Sequence, residues 1–108
     1  MISTHVLDTA RGHPAEGVPV VLEHDGADGW QELARAATDS DGRVRELVAG
    51  ELADGRYRLT FDTAQYFRVI GEAAFYPEVS VVFTVAGGGH HHVPLLLSPF
   101  GYTTYRGS

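Results

Sequence analysis

Three histidines in a row, His90-His91-His92, follow the glycine loop Gly87-Gly88-Gly89. If they open a strand, alternation puts His90 and His92 on one face and His91 on the other. Two imidazoles at i and i+2 can share a metal ion, provided that a further ligand comes from elsewhere, and His5 is the candidate. The same side chains can instead move protons, because an imidazole pKa of about 6.5 lies near working pH. The plain alternative is a set of solvated residues after a loop. It weighs most on His90 and His91 and least on His92, which leads into an apolar strand. Arg43 stands just after a turn, where a charged residue is usually solvated. Its planar fork of donors would nonetheless suit a carbonyl-rich ligand. The sequence closes on Tyr105-Arg106-Gly107-Ser108, which combines an aromatic ring, a permanent cation, a flexible residue and a hydroxyl. A fraying end carries little chemistry; this one reads as a tail tucked into a site.

Period-two alternation dominates the chain and predicts strands over 3–8, 18–24, 31–38, 43–48, 56–62, 79–85, 90–97 and 102–106. Ser3, His5 and Leu7 share a face of the first. Asp39-Ser40-Asp41-Gly42 is a turn that leaves Arg43 at the mouth of the next strand. Asp62 resembles a helix N-cap with Gln65 as its capping-box partner, and Gly71 a C-terminal cap. Between them Tyr66, Val69 and Ile70 form an apolar stripe. Asp8, Asp39 and Asp41 read as turn and strand-end residues. About eight short strands and one short helix make a single domain over 1–108, an antiparallel β-sandwich.

In the strand after the histidines, Val93, Leu95 and Leu97 lie on one face, and Pro94 and Leu96 on the other with His90 and His92. A two-layer sandwich buries one face of each sheet. Apolar residues on both faces therefore predict a second subunit over the outer one.

Composition removes other classes. The 108 residues, 44% hydrophobic and 20% charged, are ordinary for a globular domain. A net charge of −6 argues against a nucleic-acid surface or adhesion to an anionic membrane. With no cysteine there is no disulfide, thiolate metal site or thiol nucleophile. No basic-then-apolar leader opens the sequence, and no apolar run approaches the ~18 residues of a membrane span; the expected location is cytoplasmic. There is no G-x-S-x-G elbow, P-loop, H-E-x-x-H or dinucleotide fingerprint.

Three segments carry a family resemblance: Ser3-Thr4-His5-Val6-Leu7-Asp8, Thr38-Asp39-Ser40-Asp41-Gly42-Arg43, and the closing HHHVPLLLSPFGYTTYRGS. They resemble the 5-hydroxyisourate hydrolases, transthyretin-related enzymes of urate breakdown, from about residue 2 to Ser108. The Tyr105–Ser108 motif is the most specific part, since transthyretins proper continue into a different tail. His91 stands where the family commonly has tyrosine. The resemblance implies a transthyretin-like sandwich and a homotetramer, a dimer of dimers, with its sites at the dimer–dimer interface around a central channel. It implies hydrolysis of 5-hydroxyisourate at a ring amide to the ureidoimidazoline OHCU, with no metal and no cofactor. His5, Arg43, His92 and Ser108 fall on catalytic positions. Tyr105, Arg106 and Gly107 join them on substrate-binding ones. The alternative function is a transthyretin-like carrier of small ligands.

Overall fold

The alternating pattern resolves into two stacked sheets in a computed structural model that describes residues 1–108. The strands are β1 (Ile2–Asp8), β2 (His13–Pro14), β3 (Pro19–Gly26), β4 (Gly29–Ala37), β5 (Arg43–Val48), β6 (Gly55–Phe61), β7 (Val79–Val85), β8 (His91–Ser98) and β9 (Gly101–Thr104), with α1 (Thr63–Ile70) between β6 and β7. One sheet runs β4-β3-β6-β7 and the other β2-β1-β8-β9, with β5 also paired to β1. Every pairing is antiparallel except β1 with β8, which is parallel and sets Ser3 beside His92 and His5 beside Pro94. The sandwich and its short helix are as the alternation predicts. The two-residue β2, pairing Leu7 with Pro14, is too short to show a period.

The core fills the space between the sheets. Ile2, Val6, Leu95 and Leu97 meet Val20, Leu22, Tyr57, Leu59 and Phe61, all essentially inaccessible. These are alternate positions of β1, β8, β3 and β6, so the remaining positions of β1 and β8 must face outward.

The helix keeps its predicted ends. Asp62 Oδ1 accepts from the Gln65 N–H at 3.1 Å, and Gly71 caps the far end at φ +75°. The buried stripe differs from expectation. It is Thr63, Tyr66 and Phe67, while Val69 is 77% exposed. Two stripes overlap in this segment, and the one carrying a second aromatic ring buries more apolar area.

Tyr66 ties the helix to the other sheet. Its hydroxyl donates to the buried Asp8 Oδ2 at 2.6 Å, and the Arg11 N–H donates to Asp8 Oδ1 at 3.0 Å. Asp8 is thus a strand-end anchor, buried rather than solvated.

Candidate active site

The outward face of the five-stranded sheet collects the polar residues. Alternation puts Ser3 and His5 there on β1, and parallel pairing places His92 and Pro94 of β8 on the same side. On the other flank of β1, His5 is paired with Arg43 of β5. Three strands distant in sequence thus bring His5, Arg43 and His92 to one surface.

The turn before β5 presents Arg43. Asp39 Oδ1 accepts the backbone N–H groups of Asp41 at 2.9 Å and Arg43 at 3.0 Å. The bond from the Arg43 N–H is the main reason that the Asp39 carboxyl sits below the ordinary carboxylate range. Gly42 has φ +74°, and a Cβ there would strike the Val6 carbonyl oxygen. Only glycine lets the turn close over β1, where the Val6 N–H donates to the Gly42 carbonyl at 2.7 Å. Arg43 is half-buried and enters none of the protein's five ion pairs. Its guanidinium is free for a ligand. His5 is held by the same turn: its Nε2–H donates to the Asp41 carbonyl at 2.9 Å. A carbonyl only accepts, so neutral His5 keeps Nδ1 as its acceptor.

His92 is fixed from two sides. Its Nδ1 lies 2.7 Å from the hydroxyl of Ser3, a residue only 4% exposed. That hydroxyl also lies 2.6 Å from Nε2 of His90. On the other side the Gly107 N–H donates to the His92 carbonyl at 2.9 Å and brings the tail back across β8. Burial, first, and then the nearby positive charges of Arg43, His90 and His5 push the His92 pKa below that of an ordinary imidazole; Ser3 pulls it partly back. His92 is therefore neutral at neutral pH, with Nε2 not engaged by Ser3. That is the state a general base requires.

These groups enclose a polar pocket of about 150 Å³ lined by Ser3, Thr4, Arg43, Arg45, His90, His92 and Ser108, with no apolar residue among them. His5 stands next to it on β1. Tyr105 and Arg106 do not reach this pocket. They line a second cavity of about 280 Å³ with Val81, Phe83, His91 and Val93, and His92 borders both cavities. Gly107 serves as the packing contact against the His92 ring. His91 points inward and away from the polar pocket, as alternation requires. It is 5% exposed, and its Nδ1 has no hydrogen-bond partner.

No group of three or more His, Cys, Asp or Glu side chains is arranged to hold a metal ion. His90 and His92 share Ser3 instead. Sequence reasoning assigned no role to Ser3, Thr4 or Arg45. Alternation places Ser3 on the His5 face, but its contact with His92 spans 89 positions and depends on the parallel β1–β8 pairing.

Fold and pocket together define a transthyretin-like β-sandwich with a histidine- and arginine-based polar site on its outer sheet face. The HIUase/Transthyretin family model matches residues 2–107, and the chain belongs to that family. It is 47% identical over 111 residues to the 5-hydroxyisourate hydrolase of Mus musculus, covering 99% of this chain and 94% of that protein. The structure of Klebsiella pneumoniae 5-hydroxyisourate hydrolase superposes with a TM-score of 0.90 at 38% identity, covering 99% of this chain and 97% of that one. Sea bream transthyretin in complex with thyroxine superposes with a TM-score of 0.92 at 34% identity, covering 98% and 93%. The backbone alone thus does not separate a thyroxine-binding protein from a hydrolase. The side chains of the site must.

Proposed function

We propose that this protein hydrolyses 5-hydroxyisourate to OHCU in urate breakdown, as a cyclic-amide hydrolase of the cytoplasm. The observation that carries the reading is the pocket itself. An unpaired arginine, a neutral, oriented histidine and a serine hydroxyl converge in a cleft lined by no hydrophobic residue. A carrier of hydrophobic ligands would line its site with apolar side chains; here they are absent.

The chemistry follows from these groups. His92 Nε2 takes a proton from water as the water oxygen bonds to the ring carbonyl carbon. Arg43 stabilises the oxyanion that forms. The oxyanion then collapses, the C–N bond breaks, and the proton held by His92 goes to the departing ring nitrogen. His5 orients substrate or water through its free Nδ1, and Ser108 hydrogen-bonds the same partners. Acid–base assistance contributes about 10²–10⁴ in rate, and each oxyanion donor about 10²–10³. Tyr105 and Arg106 act on substrate by holding the tail, with Gly107 seating it against His92.

The reading includes a homotetramer, a dimer of dimers. A pocket of about 150 Å³ is small and open, whereas small-molecule sites usually enclose about 300–1,000 Å³. Leu7 and Leu96 lie half-buried on the same outer face, where the tail already covers Pro94, so a second subunit laid over it would cover apolar surface and close the site together.

Freshly generated 5-hydroxyisourate decays with a loss of ultraviolet absorbance. The protein should accelerate that loss by orders of magnitude. Decay no faster than the spontaneous rate would sink the hydrolase reading and favour the carrier.

A further inference from the structure

His90 and Ser3 have no part in the hydrolysis as derived above, yet with His92 they make the shortest contacts between two side chains of the site. Ser3 Oγ lies 2.6 Å from His90 Nε2 and 2.7 Å from His92 Nδ1. A hydroxyl has one hydrogen, so it donates to one imidazole and accepts from the other. The three groups form a continuous chain that starts at the half-buried His92 and ends at His90, which is exposed to solvent.

We propose that His92, Ser3 and His90 form a proton wire that moves positive charge from the half-buried base to the solvent-exposed rim of the pocket during turnover. The proposal rests on the hydrolase reading and deepens it. In the resting state His92 Nδ1–H donates to Ser3 Oγ, and the Ser3 hydroxyl donates to His90 Nε2. Attack on the carbonyl breaks a water O–H bond, and that proton goes to His92 Nε2. The Nδ1 proton then passes to Ser3 as the Ser3 proton passes to His90. His92 is neutral again with the proton on Nε2, and the cation is His90. When the ring C–N bond breaks, the Nε2 proton goes to the nitrogen. The wire runs back from His90 through Ser3 to Nδ1. No proton is gained or lost over the cycle.

The placement explains why such a wire is useful. A cation on His92 is disfavoured first by burial and then by Arg43, His90 and His5 around it. The same charge on His90 is hydrated, with the two ring centroids 6.0 Å apart. Transfer over that distance lets His92 act as base and then as acid without remaining charged next to Arg43. Ser3 suits the middle position because it is buried and one strand over from His92, in register.

Four variants, Ser3→Ala, His90→Gln, His90→Ala and the double variant of Ser3→Ala with His90→Gln, test the wire as intact oligomers on fresh 5-hydroxyisourate. Each single change should lower kcat about tenfold or more with KM little changed, given the 10²–10⁴ usually carried by acid–base groups. The double variant should be no worse than the weaker single one, because a chain is broken only once. Imidazole in the buffer should restore His90→Ala in a concentration-dependent way, which a purely structural role would not produce. Because His90 is exposed, its variants remain informative even where Ser3→Ala folds poorly. A kcat within about twofold of wild type in the His90 variants, or losses that multiply in the double variant, would overturn the wire. Wild-type protein that fails to accelerate the reaction overturns the hydrolase reading itself, a separate result.

Discussion

Gly107 sits so close to His92 that a Cβ on it would lie 2.5 Å from the imidazole Cδ2, 3.2 Å from Cγ and 3.3 Å from Pro94 Cγ. The tail and the His92 ring therefore share one space. Gly107→Ala should push either the tail off β8 or the ring off its Ser3 contact. Turnover should fall about tenfold or more, since small displacements of reacting groups are costly. Stability should change by no more than about 0.5 kcal/mol, because the tail adds little to the core. Steady-state assays beside thermal unfolding separate the two effects. Unchanged turnover would remove Gly107, and the tail with it, from the site.

Arg43 depends on Asp39 through an acceptor atom rather than through charge. Asp39 Oδ1 receives the Arg43 N–H, and asparagine offers the same oxygen. Asp39→Asn should keep most activity, whereas Asp39→Ala should lose it by letting the turn relax. Arg43→Lys should cost about 10²-fold in kcat/KM, because an ammonium cannot reproduce the planar fork. Equal losses for Asn and Ala at position 39 would show that the charge, and not the turn, matters.

The pH dependence has a fixed sign. As the proposed base, His92 must be neutral to accept the water proton, and its pKa lies below the ordinary imidazole value, first because of burial and then because of Arg43, His90 and His5. kcat/KM should therefore be flat across neutral pH and fall only below the usual imidazole range, as His92 becomes protonated. Arg43→Met removes one of the charges that hold the pKa down. Besides lowering the rate, it should move the acid limb to higher pH. A limb that stays in place, or moves lower, would mean that His92 is not the group titrating.

Sheets, turn and helix ends were legible in the sequence because each is written locally. Alternation marks the strands, Asp-Gly the turn before Arg43, and Asp62 with Gly71 the helix. The outward face of β8 was legible for the same reason. Two things were not. The helix stripe passed to Phe67 because two overlapping periodicities compete, and only the core decides between them. Ser3 went without a role because its partners lie 87 and 89 positions away; no local pattern encodes the parallel β1–β8 register. The tail divides in the same manner. Ser108 reaches the polar pocket, while Tyr105 and Arg106 turn toward the apolar cavity, a division set by the bridge from Gly107 to His92.

The far end of β1 can be perturbed without touching the site. Tyr66 donates to a carboxylate oxygen of Asp8, a residue 1% exposed, across 58 positions of sequence. Burial, with Asp8 beside it, drives the phenol pKa far up, so the hydroxyl keeps its proton and remains a donor at any working pH. Tyr66→Phe leaves the ring packed but takes one donor from a buried carboxylate. Hydrogen bonds to charged groups contribute about 1.5–3 kcal/mol, and the loss should fall in that range. Urea unfolding should show a lower midpoint with an unchanged slope, because the surface exposed on unfolding stays the same. Turnover per folded molecule should match wild type, since Asp8 lies at the opposite end of β1 from Ser3. Undiminished stability would show that water replaces the phenol at Asp8. A large loss of turnover at full folding would show that the helix positions the site through β1.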